Sequence, residues 1–254
     1  MEERNFLSNC TDLIPAANDT PYKRILAIGD IHGCFDKLIS LWEKISVTAD
    51  DLVIFLGDYV EGGDQNLNVL RWIMEQNKNK NIIFLLGNVD YMFLDAFDYG
   101  NPNIVNERWS DAARELYNAS HKEPALVRKI HDFINNLSYC YKLKINGRYY
   151  IFCHAGINPN KSIDRQTKED FVKGNNNFYK DYDGDAVFVV GHKSPIKVRN
   201  QCLPQFSELN TLKPVRISQK NILLLDTEAK GVFSQNKEGY LSCVDILTGE
   251  FWQS

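Results

Sequence analysis

The feature that most constrains the fold is a repeated unit, in which an apolar run stops at a glycine and an amphipathic stretch follows. The apolar runs KRILAIG, DLVIFLG and NIIFLLG have the length and composition of buried strands. The stretches between them, DKLISLWEKI and NLNVLRWIMEQ, place apolar residues at helical spacing. Because strands that alternate with helices form parallel sheets covered by those helices, the first half of the chain is predicted to be α/β.

The second half of the chain has a different pattern. Residues from about 103 to 137 show amphipathic helical spacing, with Pro124 in a first-turn position, so we predict a helical insertion there. YCYKLKI and RYYIFC then flank an Asn-Gly pair, which predicts a tight hairpin. AVFVVG, NILLLD and YLSCVDIL predict further strands, and LTGEFWQ predicts a last hairpin. We expect one domain over residues 24–254 after a polar lead-in over residues 1–23.

The composition excludes several classes of function. A chain of 254 residues that is 44% hydrophobic can bury a sizeable core. A net charge of -4 is unlike the basic surface that nucleic acid requires, and no apolar stretch reaches the length of a membrane span. The N-terminus lacks a signal-peptide pattern, and the six cysteines lack C-x-x-C spacing, which indicates reduced thiols. We therefore expect a cytoplasmic protein with a small-molecule, peptide or protein substrate.

Residue types that bind metals follow five of the predicted strands. They are Asp30, His32, Asp58, Asn88, His154 and His192. Since ligands of an open α/β sheet bind beyond the carboxyl ends of its strands, we expect these side chains to meet. The two remaining histidines, His121 and His131, fall in the insertion, where a surface or packing role is expected. Carboxylate, imidazole and amide ligands favour manganese, with iron or zinc as alternatives, over calcium.

The number of ligands is sufficient for two divalent metal ions. Asp30 and His32 can bind one ion, and Asn88, His154 and His192 can bind the second, with Asp58 as a bridge. Two ions about 3.5–4 Å apart would activate a bridging hydroxide as the nucleophile of a hydrolysis.

Taken together, these motifs resemble those of the calcineurin-like metallophosphoesterases. The motifs are D-x-H at 30–32, GDYVEGG at 57–63, GN at 87–88, HAG at 154–156 and GH at 191–192. They are most similar to the phosphoprotein phosphatase branch, which includes the phage lambda phosphatase and the symmetrical diadenosine tetraphosphatases. The resemblance extends from about Ile25 to the C-terminus and includes LLLDT at 223–227.

The resemblance implies a four-layer α-β-β-α sandwich with a helical insertion. It also implies two manganese- or iron-type ions bound by the six residues given above. The implied function is that of a metal-dependent hydrolase that resembles a Ser/Thr-type phosphatase and cleaves a phosphoester.

The chain departs from this family at residues that handle phosphate. Its second motif has Glu61 and Gly62 where the family has aspartate and arginine. Its third motif has Val89 in place of the catalytic histidine, and Leu86 where an arginine is common. Because a general acid contributes roughly 100- to 10,000-fold in rate, we expect slow hydrolysis of serine phosphate and better hydrolysis of esters with acidic leaving groups.

The loss of arginines extends to the stretch after HAG, where an arginine is expected and Lys173 is the available cation. Acidic groups remain. Glu61 and Asp90 are therefore candidate catalytic residues, and Asp64 and Lys193 are candidate substrate ligands.

Two other functions stay open. The same metal site could act on a neutral or cationic substrate, for example by guanidine or amide hydrolysis on an arginine-containing peptide. The protein could also be a non-catalytic pseudo-phosphatase, although sequence drift would not be expected to spare six metal ligands.

Overall fold

The computed structural model describes residues 11–12, 21–98, 101–231 and 238–254. In chain order the strands are β1 (Thr11–Asp12), β2 (Arg24–Ile28), β3 (Asp51–Phe55), β4 (Ile82–Phe84), β5 (Phe97–Asp98), β6 (Asn101–Val105), β7 (Cys140–Ile145), β8 (Arg148–Cys153), β9 (Val187–Val190), β10 (Val215–Ile217), β11 (Ile222–Leu224), β12 (Ser242–Asp245) and β13 (Phe251–Gln253). The α-helices are α1 (Phe35–Ile45), α2 (Asn66–Gln76), α3 (Asn88–Phe93), α4 (Asp111–Ser120), α5 (Pro124–Asn135), α6 (Lys168–Lys173), α7 (Asn176–Asp181) and α8 (Pro195–Gln201). Short 3-10 helices lie at Leu94–Ala96, Ile163–Arg165, Ser207–Leu209 and Ser218–Lys220.

Two mixed sheets form the centre of the molecule. The five-stranded sheet has the order β13-β12-β2-β3-β4, in which β2, β3 and β4 are parallel, as the sequence predicts. The six-stranded sheet has the order β1-β7-β8-β9-β11-β10. Its β7–β8 hairpin turns at Asn146 and Gly147, both at positive φ, so the predicted Asn-Gly turn is confirmed. The last hairpin, β12–β13, is confirmed as well.

The layers follow from which side of each strand is apolar. Ile25 and Ala27 of β2 pack with Phe152 and Val189 of the other sheet, which forms a core between the sheets. The alternate residues of β2 and β3 pack against α1 and α2, and those of β8 and β9 pack against α6 and α7. The architecture is therefore the predicted four-layer α-β-β-α sandwich.

The insertion is helical only in part, which corrects its predicted start near residue 103. Asn101–Val105 forms β6, which pairs antiparallel with β5. The β-branched residues Ile104 and Val105 favour this extended backbone over a helix. The helices follow as α4 and α5, and Pro124 occupies the first turn of α5 as predicted.

Two further sequence predictions concern the N-terminus and the cysteines. Most of the lead-in over residues 1–23 lies outside the described residues, and its described strand β1 pairs in parallel with β7 at Tyr141. Cys34, Cys153, Cys202 and Cys243 are free thiols, as predicted. Cys140 is disulfide-bonded, so the prediction of a reduced thiol is wrong there. The prediction for Cys10 lies outside the described residues. Within the described ranges, no helix is long and apolar enough to cross a bilayer.

Candidate metal centre

The predicted ligands follow strands of both sheets. Asp30 and His32 follow β2, Asp58 follows β3, Asn88 follows β4, His154 follows β8, and His192 follows β9. Their side chains lie within a few ångströms of one another, so the centre forms where the carboxyl ends of the two sheets meet. His121 and His131 lie elsewhere, where His121 bonds the Tyr117 carbonyl and His131 packs on Phe97.

Two glycines permit this close approach. A Cβ atom on Gly87 would collide with Asp58, and one on Gly191 would collide with the Asp30 carboxylate. Each glycine directly precedes a predicted ligand, Asn88 or His192. These two glycines are therefore required by the packing of the ligands themselves.

The first group of ligands consists of Asp30, His32 and Asp58, all of which are buried. Their donor atoms lie within 4.8 Å of one another. His32 Nε2 is 3.9 Å from Asp30 Oδ2 and 3.6 Å from Asp58 Oδ2. These three residues could hold one metal ion.

The second group consists of Asn88, His154 and His192. Asn88 Oδ1 lies 2.8 Å from His154 Nε2 and 2.7 Å from His192 Nδ1. Asp58 Oδ1 is 3.4 Å from His154 Nε2, while its other oxygen faces His32. The two oxygens of Asp58 thus face different groups, which is the geometry that a bridging carboxylate needs.

Backbone groups orient the ligands. His32 Nδ1 is 3.2 Å from the Val60 carbonyl, and His154 Nδ1 is 3.0 Å from the Leu56 carbonyl. With a proton on Nδ1, each ring presents Nε2 as a free lone pair to the centre. The His192 backbone N–H donates to both oxygens of Asp30, at 3.1 and 3.0 Å.

The electrostatics favour a bound cation. Burial raises the pKa of Asp30, and the nearby Asp226 carboxylate raises it further. Burial opposes ionisation of His154, but Asp58 raises the pKa of its imidazole to about 10. Burial and the charge on His154 lower the pKa of His192 to about 3. Buried carboxylates that repel one another are stabilised by a positive ion, which fits a metal centre.

Asp90 supports the centre from outside it. Its side chain is fully buried and accepts hydrogen bonds from the backbone N–H groups of Gly87, Asp58 and Tyr59, at 3.1, 2.7 and 2.8 Å. Burial and the charge of Asp58 raise its pKa to about 7. These three amides hold the carboxylate in place, which fits a positioning role. The catalytic role suggested for Asp90 stays a prediction.

Glu61 is likewise engaged away from the ligands. Its Oε1 accepts a hydrogen bond of 3.1 Å from Ala112 N in the first turn of α4. Carboxylates are favoured at that end of a helix because its N–H groups and dipole are positive there. This hydrogen bond links the second motif to the insertion, and the catalytic role suggested for Glu61 stays a prediction.

The candidate substrate ligands differ in their surroundings. The Lys193 ammonium donates to Gln201 Oε1 at 2.6 Å and to the Asn176 side chain. Asp64 is exposed. Val89 is half-buried, and its backbone N–H donates to Asp58 Oδ1 at 2.8 Å.

The sequence prediction missed an acidic cluster beside the ligands. Asp226 and Glu228 follow β11 and are 3% and 5% exposed. Glu228 Oε1 accepts from Ser194 Oγ at 2.6 Å and pairs with Lys197 Nζ at 2.8 Å. The signal was present, because Asp226 comes directly after an apolar strand, as Asp30 and Asp58 do.

Comparisons with known proteins agree with this geometry. The family model described as calcineurin-like phosphoesterase matches residues 23–231. Serine/threonine-protein phosphatase 2 of Salmonella typhimurium is 28% identical over 151 residues, which are 58% of this chain and 64% of that protein. The symmetrical bis(5'-nucleosyl)-tetraphosphatase of Baumannia cicadellinicola is 33% identical over 139 residues, 54% of this chain and 43% of that protein. The matches thus cover less than two thirds of the length of either relative.

Solved structures show the same fold at low identity. The cold-active protein tyrosine phosphatase of a psychrophilic Shewanella species has a TM-score of 0.53 at 17% identity, and the match covers 91% of this chain and 80% of that one. A serine/threonine phosphatase of Saccharomyces cerevisiae also has a TM-score of 0.53, at 14% identity, with 89% and 74% covered. The family match covers most of the chain and includes all six predicted ligands. The chain belongs to the calcineurin-like phosphoesterase family.

Proposed function

We propose that this protein is a metal-dependent hydrolase that binds two divalent metal ions, preferably manganese, and cleaves phosphoester or phosphoanhydride bonds with acidic leaving groups. The observation that carries the proposal is the position of Asp58, whose oxygens face His32 on one side and His154 on the other. Ligands divided in this way around one carboxylate fit a pair of ions better than a single ion.

Two such ions would lower the pKa of a coordinated water and polarise the attacked group. The protein would bind them through Asp30, His32, Asp58, Asn88, His154 and His192. The carbonyls of Leu56 and Val60 would keep two of the imidazoles in the required tautomer. Asp90 would hold the turns that contain Asp58 and Asn88 in register.

The leaving group decides which substrates react. Val89 stands beside Asn88 and cannot donate a proton, and within the described residues neither Glu61 nor Asp90 is directed at the centre. A leaving group that is stable as an anion needs no proton. The phosphate released from an anhydride meets this condition, whereas a serine alkoxide does not. The name of the tetraphosphatase relative points to the same class of bond.

The test is a substrate comparison with the manganese-loaded protein. We expect turnover of a symmetrical dinucleoside tetraphosphate and of p-nitrophenyl phosphate, with a serine phosphopeptide slower by at least about 100-fold. Val89→His should raise the rate on the phosphopeptide more than on the tetraphosphate, because only the phosphopeptide needs a proton donor. Equal rates on all three substrates would contradict the leaving-group argument. If none of them is turned over, the proposed function is wrong and the non-catalytic pseudo-phosphatase becomes the better explanation.

Hydrolysis of an arginine-containing peptide is the less favoured of the two catalytic functions. The acidic cluster of Asp226 and Glu228 could attract a cation, but Lys197 is paired with Glu228. The charges of Lys193 and Lys197 also lower the pKa of His192, so positive charge already lies beside the centre. Release of urea from such a peptide, without any phosphoester turnover, would reverse this order.

A small-molecule or protein substrate and a cytoplasmic location remain part of the proposal. The Cys140 disulfide is the feature that argues against a reducing compartment, since such compartments keep thiols reduced. Thiol titration of the protein, alkylated inside cells before lysis, tests the location. A fully reduced protein supports the cytoplasm, and a retained disulfide contradicts it.

A further inference from the structure

Lys230 lies directly over the turn that contains Gly62. Gly62 has a φ of +126°, and a Cβ atom placed on it would be 2.6 Å from Cδ and 3.0 Å from Cβ of Lys230. The aliphatic part of the lysine therefore occupies the space that a side chain at residue 62 would need. The position of the Lys230 side chain therefore depends on the absence of a side chain at residue 62.

The backbone that carries Lys230 is fixed. The Ala229 carbonyl accepts a hydrogen bond of 2.9 Å from Lys37 Nζ, which also donates to the Gly239 carbonyl at 2.7 Å. The Gly231 N–H donates to the Glu228 carbonyl at 2.7 Å, which closes a tight turn around residue 230. Lys230 is thus presented from an anchored turn.

The turn that carries Lys230 lies on the His32 side of the centre. The N–H of Gly63, which follows Gly62, donates to the His32 carbonyl at 2.7 Å. Cys34 Sγ, two residues after His32, donates to the carbonyl of Ala229, the residue before Lys230, at 3.5 Å. Both contacts join the neighbours of Lys230 to the segment that contains His32.

Among the described residues, Lys230 differs from the other lysines near the ligands in having no hydrogen-bond or ion-pair partner. Lys193 donates to Gln201 and Asn176, and Lys197 is paired with Glu228. For Lys230, the described part of the chain offers neither an ion pair nor a hydrogen bond to its ammonium group.

An unpaired cation next to a dinuclear centre needs an anion. The two divalent ions would carry four positive charges. Four carboxylates lie nearby, those of Asp30, Asp58, Asp226 and Glu228, but Lys197 is paired with the last of them. The sum stays positive and would repel a lysine. An anionic group bound between the centre and the lysine turns that repulsion into attraction on both sides. The arrangement is thus complementary to a bound phosphate rather than to a neutral or cationic substrate.

We propose that Lys230 binds the phosphate group of the substrate at the His32 side of the centre, from the space above Gly62, so that the substrate class is anionic. This proposal rests on the proposed function, because it requires the metal centre. A lysine contributes a point charge without the two-pronged geometry of arginine, so it suits several phosphate orientations, including those of an anhydride bridge.

The test measures the binding of inorganic phosphate to the manganese-loaded protein by calorimetry. Lys230→Met should weaken phosphate binding by about tenfold, as expected for the loss of one charge-assisted contact, while Lys230→Arg should retain it. Lys78→Met, at an exposed lysine paired with Glu75, is the matched control and should bind phosphate as the parent does. Lys230→Gln replaces the methionine variant if that variant fails to fold, and equal manganese content is verified for each protein.

Phosphoester turnover, measured on the same samples, separates the two proposals. Turnover by the parent with unchanged phosphate affinity in Lys230→Met would overturn the role of Lys230 and leave the proposed function intact. Weakened phosphate binding in Lys230→Met without any turnover by the parent would support the role of Lys230 and overturn the phosphoesterase. No phosphate binding to the manganese-loaded parent would overturn the role of Lys230, while turnover by the same sample would still decide the proposed function.

Discussion

Buried carboxylates have different partners at the two ends of the parallel strands. At the amino end, Asp51 is 1% exposed and is bound by Arg24 through Nε at 3.0 Å and through Nη2 at 2.6 Å. At the carboxyl end, Asp30 is 2% exposed, and its described hydrogen bonds come from the backbone N–H of His192. Among the described residues, the same sheet therefore pairs one carboxylate with an arginine and leaves the other without a lysine or arginine partner.

The pKa values of these two carboxylates shift in opposite directions. Burial tends to raise the pKa of Asp51, but Arg24 and Thr48 lower it below its usual value. Burial and Asp226 raise the pKa of Asp30. The backbone differs too, since His32, Asp58 and His192 all have positive φ. The amino end of the sheet is stabilised by its own ion pair, and the carboxyl end is arranged for a ligand that supplies positive charge.

The largest expected effect comes from Asp30→Asn. We expect activity to fall by about 1,000-fold or more, because a lost metal ligand removes several kcal/mol of transition-state stabilisation. Without metal, the same variant should be at least as stable as the parent, since it removes a buried charge close to Asp226. Manganese content, turnover and urea unfolding of the metal-free protein provide the measurements. A metal-free variant that unfolds at lower urea concentration would contradict the comparison.

Asp51→Asn should have the opposite profile. It weakens a partly buried ion pair, in which the Arg24 side chain is 27% exposed, and should lower the free energy of unfolding by about 1–3 kcal/mol. Turnover per folded, metal-loaded molecule should remain that of the parent, because the pair lies at the other end of the strands. Urea unfolding and steady-state kinetics on one preparation measure both effects. A loss of activity without a loss of stability would show that the two ends are coupled.

The sequence was sufficient for the parts of the fold that depend on local pattern. The helices α1 and α2 have eleven residues each and are strongly periodic. The strands β2, β3 and β4 are short, continuous apolar runs, and the glycines that follow them mark the turns. The short helices α3, α6, α7 and α8 were missed, because six or seven residues carry too little periodicity. The 3-10 helices and the strand β6 were missed for the same reason.

The site was predictable where it depends on strand ends, and not where it depends on side-chain direction. The six ligand candidates were predictable because each of them follows a strand in the chain. The turn of Glu61 towards α4 and the placement of Lys230 over Gly62 join residues about 50 and 170 positions apart. Such contacts arise from tertiary packing, and a single sequence does not contain them.

Asp90→Asn is expected to lower both the stability and the activity by intermediate amounts. The amide can accept from the three backbone N–H groups with one oxygen only, so we expect a loss of about 1–3 kcal/mol in stability. Activity should fall by about 10- to 100-fold, because the turns that carry Asp58 and Asn88 loosen. The pH profile of kcat/KM should keep its shape, because Asp90 positions ligands and transfers no proton. A lost limb of the pH profile would instead make Asp90 a catalytic residue.

The smallest expected effect is a difference in pH dependence, measured without metal so that the two carboxylates alone are compared. The folded-state pKa of Asp51 is lowered, so its stabilisation is fully present above the unfolded value near 4 and is lost as the pH falls through the folded value. The advantage of the parent over Asp51→Asn in unfolding free energy should therefore shrink on acidification from pH 7 to about pH 3. The folded-state pKa of Asp30 is raised, so Asp30 destabilises the fold at pH 7, and this cost disappears as the pH falls to the unfolded value near 4. The advantage of Asp30→Asn over the parent should shrink over the same range, and the two differences thus approach zero from opposite signs. Differences of the same sign at pH 7 would mean that the carboxyl end carries no electrostatic cost in the absence of metal.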